Sequence, residues 1–260
     1  MAKCVAIASG GMDSATLIYL LKDQGHEVHC LTFDYGQSHK VEIEYAERLF
    51  APGYWDANGL YGEGVADSWQ VVDLTSITKL LASPISSLTN PDVEVPDGLY
   101  NEESMKSTVV PNRNMIMLSV ATGFAVSIGA RFIATAVHAG DHFIYPDCRP
   151  GFIKAMNRAV IVANEGFSEF PTLEAALGFG DSWQHSSVYA PFSNMGKHDI
   201  AAMGTRLGVP FAKTWSCYKG GTSHCGRCGT CTERKEAFRL ARIKDPTDYI
   251  DPHFKIEAYV

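Results

Sequence analysis

A cluster of glycines and hydroxyl residues lies near the start of the chain, in the stretch IASGGMDSA. It contains Ser9, Gly10, Gly11, Asp13 and Ser14 directly after a short apolar run. Glycines let the backbone approach a phosphate, and hydroxyls and helix N-terminal N–H groups stabilise its charge. The stretch lacks the lysine of a Walker A loop and the third glycine of a dinucleotide loop. It predicts another kind of phosphate-binding turn, in which Asp13 caps the helix or contacts a phosphate-bound metal ion; a capping turn without a ligand is the alternative.

Four of the seven cysteines crowd into the stretch CYKGGTSHCGRCGTC, as Cys217, Cys225, Cys228 and Cys231. Two overlapping C-x2-C steps, with a fourth cysteine one loop away, can close a tetrahedral site of four thiolates around zinc. The pattern therefore predicts one structural zinc ion. Redox-active or sulfur-carrying cysteines and an iron–sulfur cluster are the alternatives. His224 is superfluous as a fifth ligand, and we interpret it as a surface residue.

Polar residues also gather in three later stretches, TFDYGQSHK, VPNRN and AVHAGDHFIYPDCR. Each follows a predicted strand or opens the helix beside one, so a parallel sheet brings all three to one ligand-binding edge. Alone, each stretch has an ordinary alternative as a turn or a helix cap. The side chains that stand out are Asp34, Tyr35, Gln37, Arg113, His138, Asp141, Asp147, Cys148 and Arg149.

The elements that must position these residues alternate along the chain. The predicted strands are 3–8, 27–36, 69–74, 131–137 and 186–194. The predicted helices are 13–25, 40–51, 112–130, 152–166 and 197–208. This alternation predicts an α/β fold with a Rossmann-like parallel five-stranded sheet and helices on both faces. Lys197 opens the helix after the fifth strand, where it can contact a phosphate; a solvated lysine is the alternative.

Composition limits the classes of function. The 260 residues carry a formal net charge of −7 and are 46% hydrophobic. Such a chain can bury a full core, and its acidic balance disfavours a general nucleic-acid binder. No apolar run reaches the ~18 residues of a membrane span, and the N-terminal run is interpreted as a buried strand, not a signal peptide. With crowded cysteines and no secretory signal, we expect a reducing compartment, the cytoplasm.

The motifs S-G-G-x-D-S, F-D-Y-G-Q-x-H, P-x-R-N, Y-P-D-C-R and the four-cysteine segment occur in this order between Lys3 and about Phe238. Together they resemble the 7-cyano-7-deazaguanine synthase (QueC) family of PP-loop ATP pyrophosphatases. The resemblance implies an adenine nucleotide alpha-hydrolase-like fold. It also implies an ATP-dependent ligase of queuosine synthesis that converts 7-carboxy-7-deazaguanine and ammonia to the nitrile, through adenylated carboxylate and amide intermediates.

The resemblance also implies roles for individual residues. It assigns ATP to the segment Ala8, Ser9, Gly10, Gly11, Met12, Asp13, Ser14, Ala15, Thr16, Leu17 and Ile18. It implies catalytic roles for Asp13, Ser14, Arg113 and Lys197. It implies substrate contacts from Asp34, Tyr35, Gln37, Arg113, Asp141, Tyr145, Asp147 and Cys148. Arg113 is a candidate for the substrate carboxylate or a phosphate, and Asp141 and Asp147 for the guanine-like N–H edge or Mg²⁺.

The positions of these motifs also predict how the chain is divided into domains. Residues 1–210 form the ATP-binding PP-loop domain, with an insertion at 52–68 and a lid-like loop at 83–111. Residues 211–260 form a small C-terminal zinc-binding segment. The expected cofactors are ATP with Mg²⁺ and one Zn²⁺ per chain. The expected partners are small molecules, with free ammonia as the nitrogen source, and a second copy in a homodimer, without nucleic acid or membrane.

Three other functions are compatible with parts of the pattern. A related PP-loop ligase would adenylate the same carboxylate but stop at an amide or pass it to another amine. A tRNA-modifying PP-loop enzyme would need a nucleic-acid surface and, in some cases, reactive cysteines, which the acidic balance and the zinc-like spacing disfavour. A nucleotide-sensing module without catalysis would not need the polar residues at the strand ends.

Overall fold

The strands and helices follow the predicted alternation. The structure is a computed structural model that describes residues 1–55, 61–80, 86–98, 100–178 and 183–254. Its strands are β1 (Lys3–Ile7), β2 (Glu27–Asp34), β3 (Pro52–Trp55), β4 (Tyr61–Glu63), β5 (Ser68–Asp73), β6 (Phe132–Ala134) and β7 (Val188–Tyr189). Its α-helices are α1 (Met12–Asp23), α2 (Val41–Phe50), α3 (Thr75–Leu80), α4 (Glu102–Met105), α5 (Arg113–Ser127), α6 (Pro150–Ala163), α7 (Leu173–Gly178), α8 (Lys197–Arg206) and α9 (Gly229–Leu240).

Five strands form one parallel sheet in the order β5–β2–β1–β6–β7. The chain builds outward from β1 on one side and then returns to place β6 on its other side. Loops that leave two such strands diverge, and ligands bind in the crevice between them. The predicted five-stranded parallel sheet is confirmed. Its fifth strand is shorter than the predicted 186–194, because a turn in which the Ser193 N–H donates to the Ala190 carbonyl follows β7.

Different helices cover the two faces of the sheet. Along β1, Cys4 and Ala6 lie in the core under α1, α2 and α8, while Val5 lies in the core under α5 and α6. This alternation is the period of two expected of a strand. Cys4 and Cys30 are at most 1% exposed, as expected of inert core cysteines. Among the described helices, none combines the length and apolarity needed to cross a membrane.

Two irregular stretches have more local structure than their composition indicates. The predicted insertion 52–68 contains the antiparallel pair β3–β4, and its last residue begins β5; residues 56–60 lie outside the described chain. The predicted lid 83–111, apart from residues 83–85 and 99, includes α4 and packs beside the cysteine segment. There the Gly98 N–H donates to the Arg227 carbonyl at 2.9 Å. The domain boundaries and the lid function stay predictions.

Gly10 is required by close packing of the phosphate turn on α2. Its φ is +77°, and a Cβ atom there would meet the Glu42 carbonyl oxygen at 2.6 Å and the Ala46 nitrogen at 2.7 Å. Gly25 has the same φ of +77° but open space around it. The two glycines therefore separate the cost of backbone conformation from the cost of overlap.

We expect Gly25→Ala to lower the free energy of unfolding by about 1–2 kcal/mol, the cost of a left-handed alanine. Gly10→Ala has the same conformational cost plus overpacking, which adds about 1–3 kcal/mol. Urea unfolding of both variants measures the difference. Equal losses in the two variants would contradict the close approach of α2 to the turn.

Candidate active site and metal centre

A cavity of about 220 Å³ opens at the carboxyl ends of β1 and β6. This is the crevice where the strand order reverses. Of the residues predicted to bind ATP, the cavity is lined by Ala8, Ser9, Gly11, Met12, Asp13 and Ser14. Of the predicted catalytic and substrate residues, it is also lined by Tyr35, Arg113, Asp141, Cys148 and Lys197. Residues far apart in the sequence therefore meet in one cavity.

The phosphate turn is held open by its own hydroxyl groups. Ser14 Oγ donates to the Gly11 carbonyl at 3.1 Å and accepts from the Ser9 N–H at 3.2 Å. No side chain caps the N-terminus of α1, so no cap occupies its first N–H groups. This end of the helix lies at the cavity, which Gly11, Met12 and Asp13 line. An anion is stabilised at such an end by these N–H groups and the helix dipole. The geometry is that of an anion-binding turn.

Beside the turn, the ammonium group of Lys197 is enclosed by acidic side chains. Its Nζ lies 2.6 Å from Glu233 Oε2 and 3.2 Å from Asp13 Oδ2. Burial opposes the positive charge, but Asp13 and Glu233 outweigh it and raise the pKa of Lys197 well above its ordinary value. The lysine is thus a fixed cation at the mouth of the phosphate turn, rather than a solvated one.

His138 connects the turn to the 3-10 turn after β6. Its Nδ1 accepts from the Gly140 N–H at 3.1 Å, which leaves Nε2 as the ring nitrogen that faces the acidic side chains. Nε2 lies 3.7 Å from Asp13 Oδ2 and 3.6 Å from Asp141 Oδ2. Burial opposes ionisation of Asp141, but His138 and Lys197 lower its pKa overall. Asp141 also accepts from the Tyr100 hydroxyl at 2.7 Å.

Across the cavity, Arg113 begins α5 among aromatic rings. Its guanidinium lies 5.8 Å from the ring centroids of both Tyr35 and Tyr145. Its Nη1 donates weakly to the Tyr35 hydroxyl at 3.5 Å. Within the described chain it has no ion pair with a carboxylate. A guanidinium so placed can still bind an incoming anion at its N–H groups.

The motifs P-x-R-N and Y-P-D-C hold each other in place. The Asn114 N–H at the start of α5 donates to Asp147 Oδ2 at 3.1 Å, and Asn114 Nδ2 donates to Cys148 Sγ at 3.1 Å. Asp147 therefore stabilises the N-terminus of the helix that carries Arg113. Burial raises the pKa of the Cys148 thiol well above its ordinary value. Cys148 is a neutral wall residue, not a poised thiolate nucleophile.

The other predicted residues lie outside the cavity lining. Asp34 pairs with Lys40, and Gln37 donates to the Phe33 carbonyl and to Glu42. The remaining ones either sit in the core or face neighbouring backbone: Gly10, Ala15, Thr16, Leu17, Ile18, Tyr145 and Asp147. Their positions support those of the lining residues.

Four further polar residues near the cavity were not among the predicted site residues: His39, which ends the motif F-D-Y-G-Q-x-H, and Glu42, Tyr218 and Glu233. Glu42 lines the cavity, where its Oε1 accepts from Gln37 Nε2 at 2.9 Å and its Oε2 lies 3.5 Å from His39 Nε2. Burial raises the pKa of Glu42 to about 7, and burial followed by the charge of Arg113 lowers the pKa of His39 to about 3. The first turn of α2, directly after F-D-Y-G-Q-x-H, was the available signal for Glu42. No motif marks Glu233.

The four cysteines come together at the start of α9. Ligand atoms of Cys217, Cys225, Cys228 and Cys231 all lie within 4.8 Å of one another. The Sγ atoms of Cys225 and Cys231, and those of Cys217 and Cys228, are 3.9 Å apart. Four sulfurs at about 2.3 Å from a tetrahedral zinc ion are about 3.8 Å apart, so the set fits a four-coordinate metal. N–H groups of Arg227 and Cys228 donate to Cys225 Sγ.

The interpretation of His224 as a surface residue is wrong. Its side chain is 5% exposed, and its ring packs 4.4 Å from that of Trp215. Burial lowers the pKa of His224 to about 4, so the ring is neutral and Nε2 accepts from the Ser216 N–H at 3.0 Å. A neutral histidine ring can be buried when its nitrogen has a hydrogen-bond partner, as it does here.

The segment before the cysteines connects α9 to the phosphate turn. Arg234, fully buried on α9, donates to Thr214 Oγ1 at 2.7 Å and to the Phe211 carbonyl at 2.9 Å. In the same segment the Trp215 N–H donates to the Gly10 carbonyl at 2.9 Å. The C-terminal segment is therefore part of the cavity wall.

Comparison with known proteins agrees with this geometry. The family model described as "Queuosine biosynthesis protein QueC" matches residues 3–242. The chain belongs to the QueC family. It is 45% identical over 260 residues to the 7-cyano-7-deazaguanine synthases of Rhizobium rhizogenes (strain K84) and Rhizobium meliloti (strain 1021), covering 98% of this chain and 95% of each relative. It is 45% identical over 256 residues to that of Brucella anthropi, covering 97% and 95%.

Two solved structures resemble this QueC family chain weakly. NMN synthetase from Francisella tularensis is 11% identical and covers 93% of this chain and 77% of its own, with a TM-score of 0.44. A 4-thiouridine synthetase, solved with RNA and bound ATP, is 16% identical and covers 93% of this chain and 50% of its own, with a TM-score of 0.41. At these values the family assignment depends on the sequence matches.

The buried carboxyl of Glu42 makes stability depend on pH. An acid whose pKa rises from 4.5 to about 7 on folding contributes stability below pH 4.5, and that contribution is lost as pH rises through 7. Glu42→Gln keeps the acceptor for Gln37 but cannot ionise. We expect the variant to gain stability relative to the native chain between pH 5.5 and pH 8, by about 2 kcal/mol.

Urea unfolding of both proteins at the two pH values measures this gain. Comparing the variant with the native chain at the same pH cancels the contribution of the other titrating groups to the free energy of unfolding. A difference that stays constant between the two pH values would contradict the buried position of the Glu42 carboxyl.

Proposed function

We propose that this chain is an ATP-dependent ligase that converts 7-carboxy-7-deazaguanine and ammonia into 7-cyano-7-deazaguanine. Its QueC family relatives carry the name of this activity. The observation that best supports the proposal is the position of Arg113. Its guanidinium, without a carboxylate partner among the described residues, lines the same cavity as the phosphate turn. A guanidinium binds a carboxylate bidentately, so an acid substrate and a nucleotide are brought together.

In the first activation, the turn binds ATP through Ser9, Ser14 and the N–H groups of α1. Arg113 binds the substrate carboxylate and orients one of its oxygens towards the α-phosphate. That oxygen bonds to the α-phosphorus while the bond from phosphorus to the departing pyrophosphate oxygen breaks. Lys197 stabilises the negative charge on the phosphate oxygens as the transfer proceeds.

The residues at the turn fit a magnesium ion. Asp13 Oδ1 is buried and has no hydrogen-bond partner within the described chain, so it offers a free lone pair at the phosphate turn. Mg²⁺ prefers one or two carboxylate oxygens together with phosphate oxygens. When bound, it neutralises charge on the leaving pyrophosphate. Asp13 would hold it, with Asp141 as the second carboxylate.

The nitrile requires a second activation in the same cavity. Ammonia attacks the carbonyl carbon of the adenylate, AMP leaves and the amide forms. The amide oxygen then attacks the α-phosphate of a second ATP, and pyrophosphate leaves again. The amide nitrogen loses its two protons to solvent while the C–O bond to AMP breaks, which leaves a carbon–nitrogen triple bond. Each turnover thus consumes two ATP and releases two AMP.

We assign the guanine-like N–H edge of the substrate to Glu42. Of the two acids expected from the sequence, Asp147 is used at the start of α5 and Asp141 accepts from Tyr100. Glu42 lines the cavity and faces the neutral ring of His39. As a carboxylate, it can accept from two adjacent N–H groups.

We also propose that the metal in the cysteine cluster is one structural Zn²⁺ ion per chain. Four thiolates complete a tetrahedral zinc site and leave no position open for substrate. Such a site contributes directly to folding of its segment. Cysteines without disulfide bonds are retained in a reducing compartment, so we place the chain in the cytoplasm. We further propose a homodimer, which light scattering tests: a mass of 28.4 kDa, that of one chain, would contradict it.

Metal analysis tests the zinc proposal. We expect about one zinc per chain in the purified protein, and loss of zinc together with a lower melting temperature in Cys228→Ser. Cys30→Ala is the matched control, because this cysteine lies in the sheet core and its loss leaves zinc bound. Stoichiometric iron or a persulfide in place of zinc would contradict the proposal and favour a sulfur-transferring enzyme.

Incubation with 7-carboxy-7-deazaguanine, ATP, Mg²⁺ and ammonia, followed by mass analysis, tests the function. We expect the nitrile and two AMP per nitrile. Amide alone at long times would mean that the enzyme stops after the first activation. If another amine is added and AMP forms without amide or nitrile, the substrate is conjugated to that amine. Both results would overturn the proposal.

A further inference from the structure

Helix α9 begins in the cysteine cluster and reaches the active site within its first turn and a half. Cys231 belongs to the cluster. Two residues later, Glu233 Oε2 lies 2.6 Å from Lys197 Nζ. The next residue, Arg234, holds the segment that contacts the phosphate turn through Trp215. Helix α9 therefore connects the cysteine cluster, Lys197 and the phosphate turn.

The ion pair of Glu233 and Lys197 is nearly closed to water. The side chains are 11% and 13% exposed, respectively. Lys197 also contacts Asp13 at the longer distance of 3.2 Å. Asp13 itself lies in the phosphate turn, and its Oδ2 also faces His138 Nε2 at 3.7 Å. Glu233 therefore contacts the ammonium from α9, a different helix from the one that begins at the phosphate turn.

A lysine side chain has four rotatable bonds and would otherwise sample many positions in a cavity of this size. Catalysis by charge requires the cation to be in place before the transition state forms. A carboxylate on a helix that begins in the cysteine cluster can hold the ammonium group in one position. Lys197 is carried by α8, so the support comes from a separate element of the fold.

We propose that Glu233 is a positioning residue for Lys197, through which the cysteine segment takes part in AMP transfer. This inference rests on the proposed function, because it requires Lys197 to act on the phosphate that is transferred. Glu233 does not touch the substrates. Glu233 holds the ammonium group beside the phosphate turn. When Glu233 is replaced, that positive charge is misplaced in the transition state.

Glu233→Gln tests this role, because glutamine keeps the volume and one acceptor but removes the charge that holds the ammonium. We expect kcat for AMP formation to fall about tenfold or more, with KM for ATP changed less than about threefold. Glu236→Gln is the matched control. Glu236 lies three residues further along α9 and is exposed, and its only ion pair among the described residues is with Arg239. It should leave kcat unchanged.

A double-mutant cycle separates positioning from a structural ion pair. Once Lys197→Ala has removed the ammonium group, Glu233→Gln should cause no further loss of kcat. Zinc content should match that of Glu236→Gln, and the melting temperature should be lower because Lys197 loses one of its buried carboxylate partners. A native kcat in Glu233→Gln, or a loss that multiplies with that of Lys197→Ala, would overturn the proposal. If Glu233→Gln fails to fold, Glu233→Asp retains the charge on a shorter side chain and should show the same loss of kcat.

A second measurement does not depend on the reaction. Amine-reactive ester labelling, read by peptide mass spectrometry, reports whether Lys197 is held in its ion pair. We expect labelling of Lys197 to rise about tenfold in Glu233→Gln and to stay at the native level in Glu236→Gln. Unchanged labelling in both variants would overturn the positioning role. Increased labelling in a protein that makes no AMP from the substrates would instead locate the failure in the proposed function.

Discussion

The arrangement of this site depends on one buried ammonium group. Lys197 is removed from water between Asp13, which lies in the first turn of α1, and Glu233, which lies near the C-terminus. Burying a lone cation is costly, and removal of one partner of a buried pair typically destabilises by about 3–5 kcal/mol. The first turn of α1 and helix α9 must therefore meet before the cation can be placed. This requirement joins the cysteine segment to the phosphate turn.

The fold satisfies that requirement with two kinds of support. The parallel sheet brings the loops after β1 and β6 to one crevice, which places Asp13 and His138 near each other. The helix α9 closes the crevice from outside the sheet, and Arg234 fixes the segment that contacts Gly10. The opposite wall is apolar and aromatic around Arg113. A cavity with cations on two sides is suited to substrates that carry a carboxylate and a triphosphate.

The sheet and the lining of the phosphate turn were predictable because each depends on local pattern. Strand and helix periods, the glycine turn and the cysteine spacing are all readable within short windows. Glu233 was not predictable, since its role arises only when α9 packs beside α8. His224 was misinterpreted because its neighbours Trp215 and Ser216 come from an earlier segment of the chain. Asp34 and Asp147 accept from the Gly36 and Asn114 N–H groups, which no sequence pattern indicates, and their substrate contacts stay predictions.

In the proposed reaction, one carbon of the substrate is activated twice through its own oxygen atoms. Substrate with ¹⁸O in both carboxylate positions tests it directly, with the AMP examined by mass spectrometry. In the first transfer one labelled oxygen leaves with AMP, and in the second the amide oxygen leaves in the same way. We expect every AMP formed to carry one ¹⁸O and the nitrile to carry none. Unlabelled AMP beside the nitrile would show that water, not the substrate, attacks ATP, and would contradict activation through the substrate oxygens.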